Sequence, residues 1–181
     1  MNRFQKIVLP NVALFGISMG CAQFALAADP VSMTITGNVV ASPCVLKAGQ
    51  DNLTVDLGGG SDLQTADLND AGSSSMWKPI TISMESCPAG TSSVTATFHG
   101  TADSADVETL YSNTGTATNV AVQLEGTAGE AYGNGKTSVI NIADAAGGIP
   151  IWNLQTRAFS KNGKVTPGTI SAVITMSFAY N

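Results

Sequence analysis

The sequence predicts an all-β protein, and three observations carry that prediction. No window of about ten residues has clean helical periodicity. Short runs of alternating apolar and polar residues recur instead, separated by clusters of Gly, Asn, Ser and Pro. Two of the strongest alternations lie towards the two ends of the chain, at 31–40 and 169–180.

Residues 1–27 follow a secretory plan. Arg3 and Lys6 supply positive charge, Ile7 to Phe24 are mostly apolar, and Ala25-Leu26-Ala27 offers small residues for cleavage. Cutting after Ala27 leaves a chain that starts Ala28-Asp29-Pro30. No later stretch approaches the ~20 apolar residues of a membrane-spanning helix, so the expectation is an exported, soluble protein with one domain's worth of chain.

The strands follow in order at 31–40, 44–47, 53–57, 79–86, 93–99, 119–125, 137–142, 149–159 and 169–180. In the first, Val31, Met33, Ile35 and Val39 alternate with hydroxyl residues. In 93–99, Val94, Ala96 and Phe98 share a face, as do Val120, Val122 and Leu124 in 119–125. The last strand places Ile170, Ala172, Ile174, Met176, Phe178 and Tyr180 on one side and mostly Thr and Ser on the other. Asn134-Gly135 and Asn162-Gly163 suit type I′ turns. Segments 58–76 and 100–118 read as long polar loops, the former with a short helical turn around Ser61 to Leu68.

Charge and cysteine content narrow the function classes. Removing Arg3 and Lys6 from 8 basic residues leaves six against 13 acidic ones, a net charge of −7. That balance argues against nucleic acid as a partner. Gly20-Cys21 has the glycine of a lipid-attachment site but lacks the aliphatic residue three positions before the cysteine, so Cys21 is discarded with the leader. Cys44 and Cys87 remain as an even pair in an oxidising compartment, which favours a disulfide. Closing a loop of about 43 residues is worth ~4 kcal/mol by the chain-entropy model.

No catalytic constellation emerges, so no enzyme and no cofactor is expected. A Ser-His-Asp arrangement would have to use His99, a strand-end histidine with no nucleophile elbow in the sequence. Two cysteines and one histidine fall short of a zinc site. Gly133-Asn134-Gly135-Lys136-Thr137 resembles the end of a phosphate loop, but the earlier glycine would fall at Glu130. Gly58-Gly59-Gly60 opens no helix, and Asp103 and Asp106 lack calcium-loop spacing. Trp77 and Trp152 suggest a sugar platform, but each sits beside a strand start, where core or inter-strand packing is the plainer reading.

What stands out is the destination of the first strand. The link Ala41-Ser42-Pro43 contains no Gly, Asn or Asp for a tight hairpin, and Pro43 biases Ser42 towards extended geometry. Burying Val31, Met33, Ile35 and Val39 in a groove would gain a gross ~6–12 kcal/mol, and leaving them in water makes an aggregation-prone edge. Addition to another subunit's sheet edge resolves both problems. Gly37 fits such an arrangement because a missing side chain permits close approach to a crowded groove.

At this point a family resemblance is carried by residues along the whole exported sequence. They are Gly37-Asn38-Val39-Val40-Ala41-Ser42-Pro43-Cys44, Met76-Trp77 leading to Ser86-Cys87-Pro88-Ala89-Gly90-Thr91, and Thr95-Ala96-Thr97-Phe98 followed by Gly100. Further on come Asn113-Thr114-Gly115-Thr116-Ala117-Thr118-Asn119-Val120, Leu154-Gln155-Thr156-Arg157-Ala158, and Gly168-Thr169-Ile170 through Phe178-Ala179-Tyr180-Asn181. In this order they resemble a chaperone–usher pilus subunit of the type 1 fimbrial family.

The resemblance implies an incomplete immunoglobulin-like β-sandwich completed by a donor strand from a neighbouring subunit. It implies residues 28–41 as the donor strand, with Val31, Met33, Ile35, Gly37 and Val39 in use, and 42–181 as the pilin domain. Cys44 and Cys87 would form the family disulfide. Ile170, Ala172, Ile174, Met176, Phe178 and Tyr180 would line the acceptor groove and meet a periplasmic chaperone. The implied partners are neighbouring pilus subunits, that chaperone, the outer-membrane usher and the tip adhesin, and the implied location is the fimbria at the cell surface. The short extension and the Trp77 segment point to the minor tip adaptor. The alternatives are the major rod subunit of the same pilus class and, from a different class, a self-contained carbohydrate-binding β-sandwich.

Overall fold

The computed structural model describes residues 32–181. The predicted leader, Cys21 and Val31 lie outside the described residues. The chain divides into two units, 1–37 and 38–181. In the first, the described residues 32–37 carry no regular secondary structure, and Met33 and Ile35 are 80% and 85% exposed.

The second unit holds ten strands: β1 (Val45–Leu46), β2 (Ser73–Ser74), β3 (Lys78–Ser86), β4 (Ser93–His99), β5 (Ala102–Asp103), β6 (Asp106–Ser112), β7 (Ala121–Gly126), β8 (Thr137–Asn141), β9 (Ile151–Ser160) and β10 (Thr175–Tyr180). Two short 3-10 turns, Thr65–Leu68 and Ala146–Gly148, complete the regular structure. The larger sheet runs β1-β3-β9-β7-β6-β5, with β2 following β3 along the same edge of β9. The smaller sheet is β10-β4-β8, and every pairing is antiparallel.

Alternation builds the core between the sheets. Val94, Ala96 and Phe98 of β4 face Ile82 and Met84 of β3, Val122 and Leu124 of β7, and Trp152 and Leu154 of β9 in one buried cluster. A second cluster gathers Leu68, Ala117, Val120 and Ala158. Phe98 stacks on Tyr132 at 4.4 Å, and the Tyr111 hydroxyl donates to the Tyr132 carbonyl at 2.8 Å. Burial pushes the Tyr111 phenol up to about 12.

Five differences from the sequence expectation have identifiable causes. Residues 32–40 carry no regular secondary structure, and Val39 and Val40 are fully or largely exposed, as befits an amphipathic segment that lacks a pairing strand. Residues 53–57 form no strand. The β3 edge beside Thr81 and Ser83 is taken by the side chain of Gln50, whose Nε2 donates to the Thr81 carbonyl and whose Oε1 accepts from the Ser83 amide. The 100–118 segment holds β5 and β6, where Leu110 and Tyr111 are both buried. Adjacent residues buried on opposite faces erase the alternation that betrays a strand. Gly135 and Gly163 take left-handed φ of 80° and 70°, but their asparagines do not, so neither Asn-Gly pair forms the centre of a type I′ turn. The last ladder begins at Thr175 rather than Thr169, for a reason that lies in the site itself.

Candidate functional site

β10 lies at the edge of its sheet, and no described strand pairs with its outer side. Its register on β4 places Thr175, Ser177 and Ala179 opposite His99, Thr97 and Thr95, and Asn181 exchanges both main-chain bonds with Ser93 at 3.1 and 3.2 Å. In an antiparallel ladder such pairs alternate, so the odd-numbered residues bond to β4. The N–H and C=O groups of Met176, Phe178 and Tyr180 therefore point to the open edge. Their side chains point to the core, where all three pack against the main cluster without being fully buried. One set of residues thus offers an apolar strip and an unpaired backbone together.

The strip continues before β10. Ile170, Ala172 and Ile174 are also half-buried on the core face, and Ile170 touches both clusters. Here the odd-numbered residues bond to a loop instead of a strand. The Thr169 amide donates to Thr116 Oγ1 at 2.9 Å, and its carbonyl accepts from the Ala117 amide at 3.0 Å and Asn113 Nδ2 at 3.2 Å. The Ser171 amide donates to Asn113 Oδ1 at 2.8 Å, and its carbonyl accepts from the Thr114 amide at 2.8 Å and hydroxyl at 3.0 Å. These bonds replace the β4 ladder over 169–171, which is why the paired strand starts late. A Cβ on Gly115 would strike the Thr169 carbonyl, and one on Gly168 would strike the Ala117 amide, so both glycines are needed for this approach.

All six residues Ile170, Ala172, Ile174, Met176, Phe178 and Tyr180 accordingly lie on one face of one extended segment. Phe178 meets Trp152 at 5.3 Å between ring centroids, and partial burial pushes the Tyr180 phenol above its ordinary value. Of the residues predicted for the first strand, Met33, Ile35 and Val39 are exposed, nothing lies within 4 Å of a Cβ built on Gly37, and Val31 is outside the described residues.

Cys44 and Cys87 form a disulfide that ties the residue before β1 to the residue after β3. The remaining candidates do not converge. Trp152 is 3% exposed and belongs to the core. Trp77 is covered by the Arg157 guanidinium at 4.1 Å, which also donates to Gln123 Oε1 and Ser74 Oγ and lies over Phe159. Desolvation there lowers the Arg157 pKa. The two tryptophans therefore make no shared platform. His99 is exposed and bonds Ser177 Oγ at 2.9 Å. No cluster of three metal-ligating side chains exists among the described residues.

Sequence reading missed the roles of Asn113, Thr116, Gln50 and Arg157. For Asn113 and Thr116 the signal is a hydroxyl-rich and amide-rich run, which looks the same whether it faces water or holds a neighbouring strand.

Comparison with known proteins decides the family. The family model described as fimbrial protein matches residues 33–181. The chain belongs to the fimbrial protein family. It is 37% identical over 163 residues to Protein FimG of Escherichia coli strain K12, covering 90% of this chain and 92% of that protein. It is 35% identical over 164 residues to the S-fimbrial adhesin protein SfaS of Escherichia coli O6:K15:H31, covering 90% and 92%. The fold is similar to that of the P pilus rod subunit PapA, with a TM-score of 0.62 at 20% identity over 77% of this chain and 100% of that one. The all-β sandwich with its open edge is thus the incomplete immunoglobulin-like fold of pilus subunits. This fimbrial protein is a structural subunit rather than an enzyme, and its place is in a pilus at the cell surface with other subunits.

Proposed function

We propose that this fimbrial protein polymerises by strand exchange. The open edge running from Ile170 to Tyr180 accepts the N-terminal segment of a neighbouring subunit, and the chain's own residues 28–41 are donated to the next. The observation that carries this reading is the coincidence of an unpaired backbone and half-buried apolar side chains at Met176, Phe178 and Tyr180. A strand laid on that edge would complete both. Exposed Met33, Ile35 and Val39 are the matching apolar residues in search of cover.

In this reading a periplasmic chaperone occupies the same edge first and the outer-membrane usher presides over its replacement. The chain serves as a minor tip adaptor beside the adhesin, which its likeness to FimG and its short extension before Cys44 support. The test is to co-express the chain with its chaperone and mix the complex with a synthetic peptide of residues 28–41. Capture of the peptide in a denaturation-resistant adduct is expected; a complex that never takes up the peptide would refute the exchange. Gold labelling of assembled fibres separates the two subunit roles: label at tips is expected, and label along the shaft would make the chain a rod subunit.

A further inference from the structure

The groove has two differently built halves. From Thr175 onward its odd-numbered residues are locked to β4 by a main-chain ladder. Around Thr169 and Ser171 the corresponding bonds come from the 113–118 loop, and several of them come from side chains. Asn113 is the centre of that arrangement. Its Oδ1 accepts from the Gly115 and Ser171 amides, both at 2.8 Å, and its Nδ2 donates to the Ala117 carbonyl at 2.7 Å and the Thr169 carbonyl at 3.2 Å. One side-chain amide thereby shapes the loop and holds the strand.

Thr116 and Thr169 add a reciprocal pair. Each amide donates to the other residue's hydroxyl, at 3.0 and 2.9 Å, and the two hydroxyls lie 3.3 Å apart. Thr118 and Thr166 form a related pair further out: the Thr118 amide donates to Thr166 Oγ1 at 2.9 Å, the two hydroxyls lie 2.9 Å apart, and the Thr166 amide donates to the Thr118 carbonyl at 3.3 Å. The parity established in β10 is preserved across this change of partner. Ile170 and Ala172 still face the core cluster, and their main-chain groups have no partner among the described residues. Without the loop, nothing on the sheet would hold these two positions in line with Met176, Phe178 and Tyr180.

We propose that Asn113 and Thr116 are positioning residues for the incoming strand, setting the Ile170 end of the acceptor edge independently of the β10 end. This rests on the acceptor reading of that edge. An apolar strand added along it would bond through Ile170 and Ala172 only if the loop holds them in register. Loss of the clamp should therefore weaken one half of the bound strand and spare the other.

The test uses the full chain in its chaperone complex and three peptides: residues 28–41, and two versions shortened from either end so that each reaches only one half of the edge. Asn113→Ala and Thr116→Val are expected to weaken the full peptide about tenfold, the loss of one or two net hydrogen bonds. They should weaken only one shortened peptide and leave the other within about twofold, which also shows that the variants are folded. Thr116→Ser keeps the hydroxyl and should restore binding. Equal weakening of both shortened peptides, or of neither, would overturn the assignment while leaving the acceptor reading intact. Failure of the unaltered chain to take up any peptide would overturn both.

Discussion

β9 and the segment from Thr169 to Tyr180 carry the same kind of sequence pattern and end in different states. Along β9 the inward residues Trp152, Leu154, Thr156, Ala158 and Ser160 are all buried. Along 169–180 the inward residues Ile170 to Tyr180, all apolar, stop at half-buried. Composition does not explain this, since β9 buries a threonine and a serine where the last segment leaves isoleucine and phenylalanine partly in water. Neighbours do. β9 is flanked by β3 and β2 on one side and β7 on the other, whereas among the described residues β10 has β4 alone. Perfect alternation with incomplete burial marks a strand that lacks a neighbour, and in the proposed exchange that neighbour comes from another subunit.

Removing the proposed donor segment should have the largest effect. A chain lacking residues 28–40 should accept the peptide with unchanged affinity yet never occupy an internal position in the fibre, because its own edge is intact and its contribution to the next subunit is gone. Electron microscopy of fibres assembled with a tagged truncation checks this. Internal incorporation would dissolve the distinction between a complete and an incomplete sheet.

Next in size is the disulfide, which holds β1 on the outer edge of the large sheet. Cys87→Ser should lower stability by ~4 kcal/mol and cut the yield of chaperone complex. Unchanged yield would mean that β1 needs no tether.

Truncating matched residues sharpens the contrast. Leu154→Ala on β9 should cost ~2–5 kcal/mol with or without bound peptide, since its surroundings are already closed. Met176→Ala on β10 should cost clearly less in the free subunit and approach the lower end of that range once peptide is bound. Denaturation midpoints of both forms measure the difference, and equal costs for Met176→Ala in the two forms would mean that the edge was never open.

The smallest effect lies at the surface. Lys161 Nζ donates to Asp106 Oδ2 at 2.7 Å, and that bond holds the Asp106 carboxyl below its ordinary 3.8. The stability it supplies is present above that value and is lost as pH falls through the depressed one. The pair is exposed enough that Lys161→Met should cost under ~1 kcal/mol at neutral pH and nothing once the carboxyl is protonated.

Much of this was legible in the chain. The alternations of β3, β4, β7, β8 and β9 set their own limits to within two residues, because apolar residues recur at alternate positions along the side that faces the core. β6 was not legible, since Leu110 and Tyr111 are buried on both faces and leave no period to read. The clamp was hidden for a different reason. Asn113, Thr114 and Thr116 have the composition of a solvated loop, and only the fold brings Thr169 and Ser171 within reach of them. Gln50 is a similar case, a single side chain standing where a strand was expected. Apolar patterns survive translation from sequence because burial is periodic, whereas polar pairings across more than thirty residues have no local trace.

Residue-resolved hydrogen exchange of the subunit, alone and saturated with the peptide of residues 28–41, reads the open edge amide by amide. The amides of Ser177 and Ala179, bonded to β4, should be protected in both states. Those of Met176, Phe178 and Tyr180 should exchange freely in the subunit alone and become protected when the peptide is bound. Protection of all five before the peptide is added, or continued exchange of the three even-numbered amides after it binds, would mean that this edge does not receive the strand.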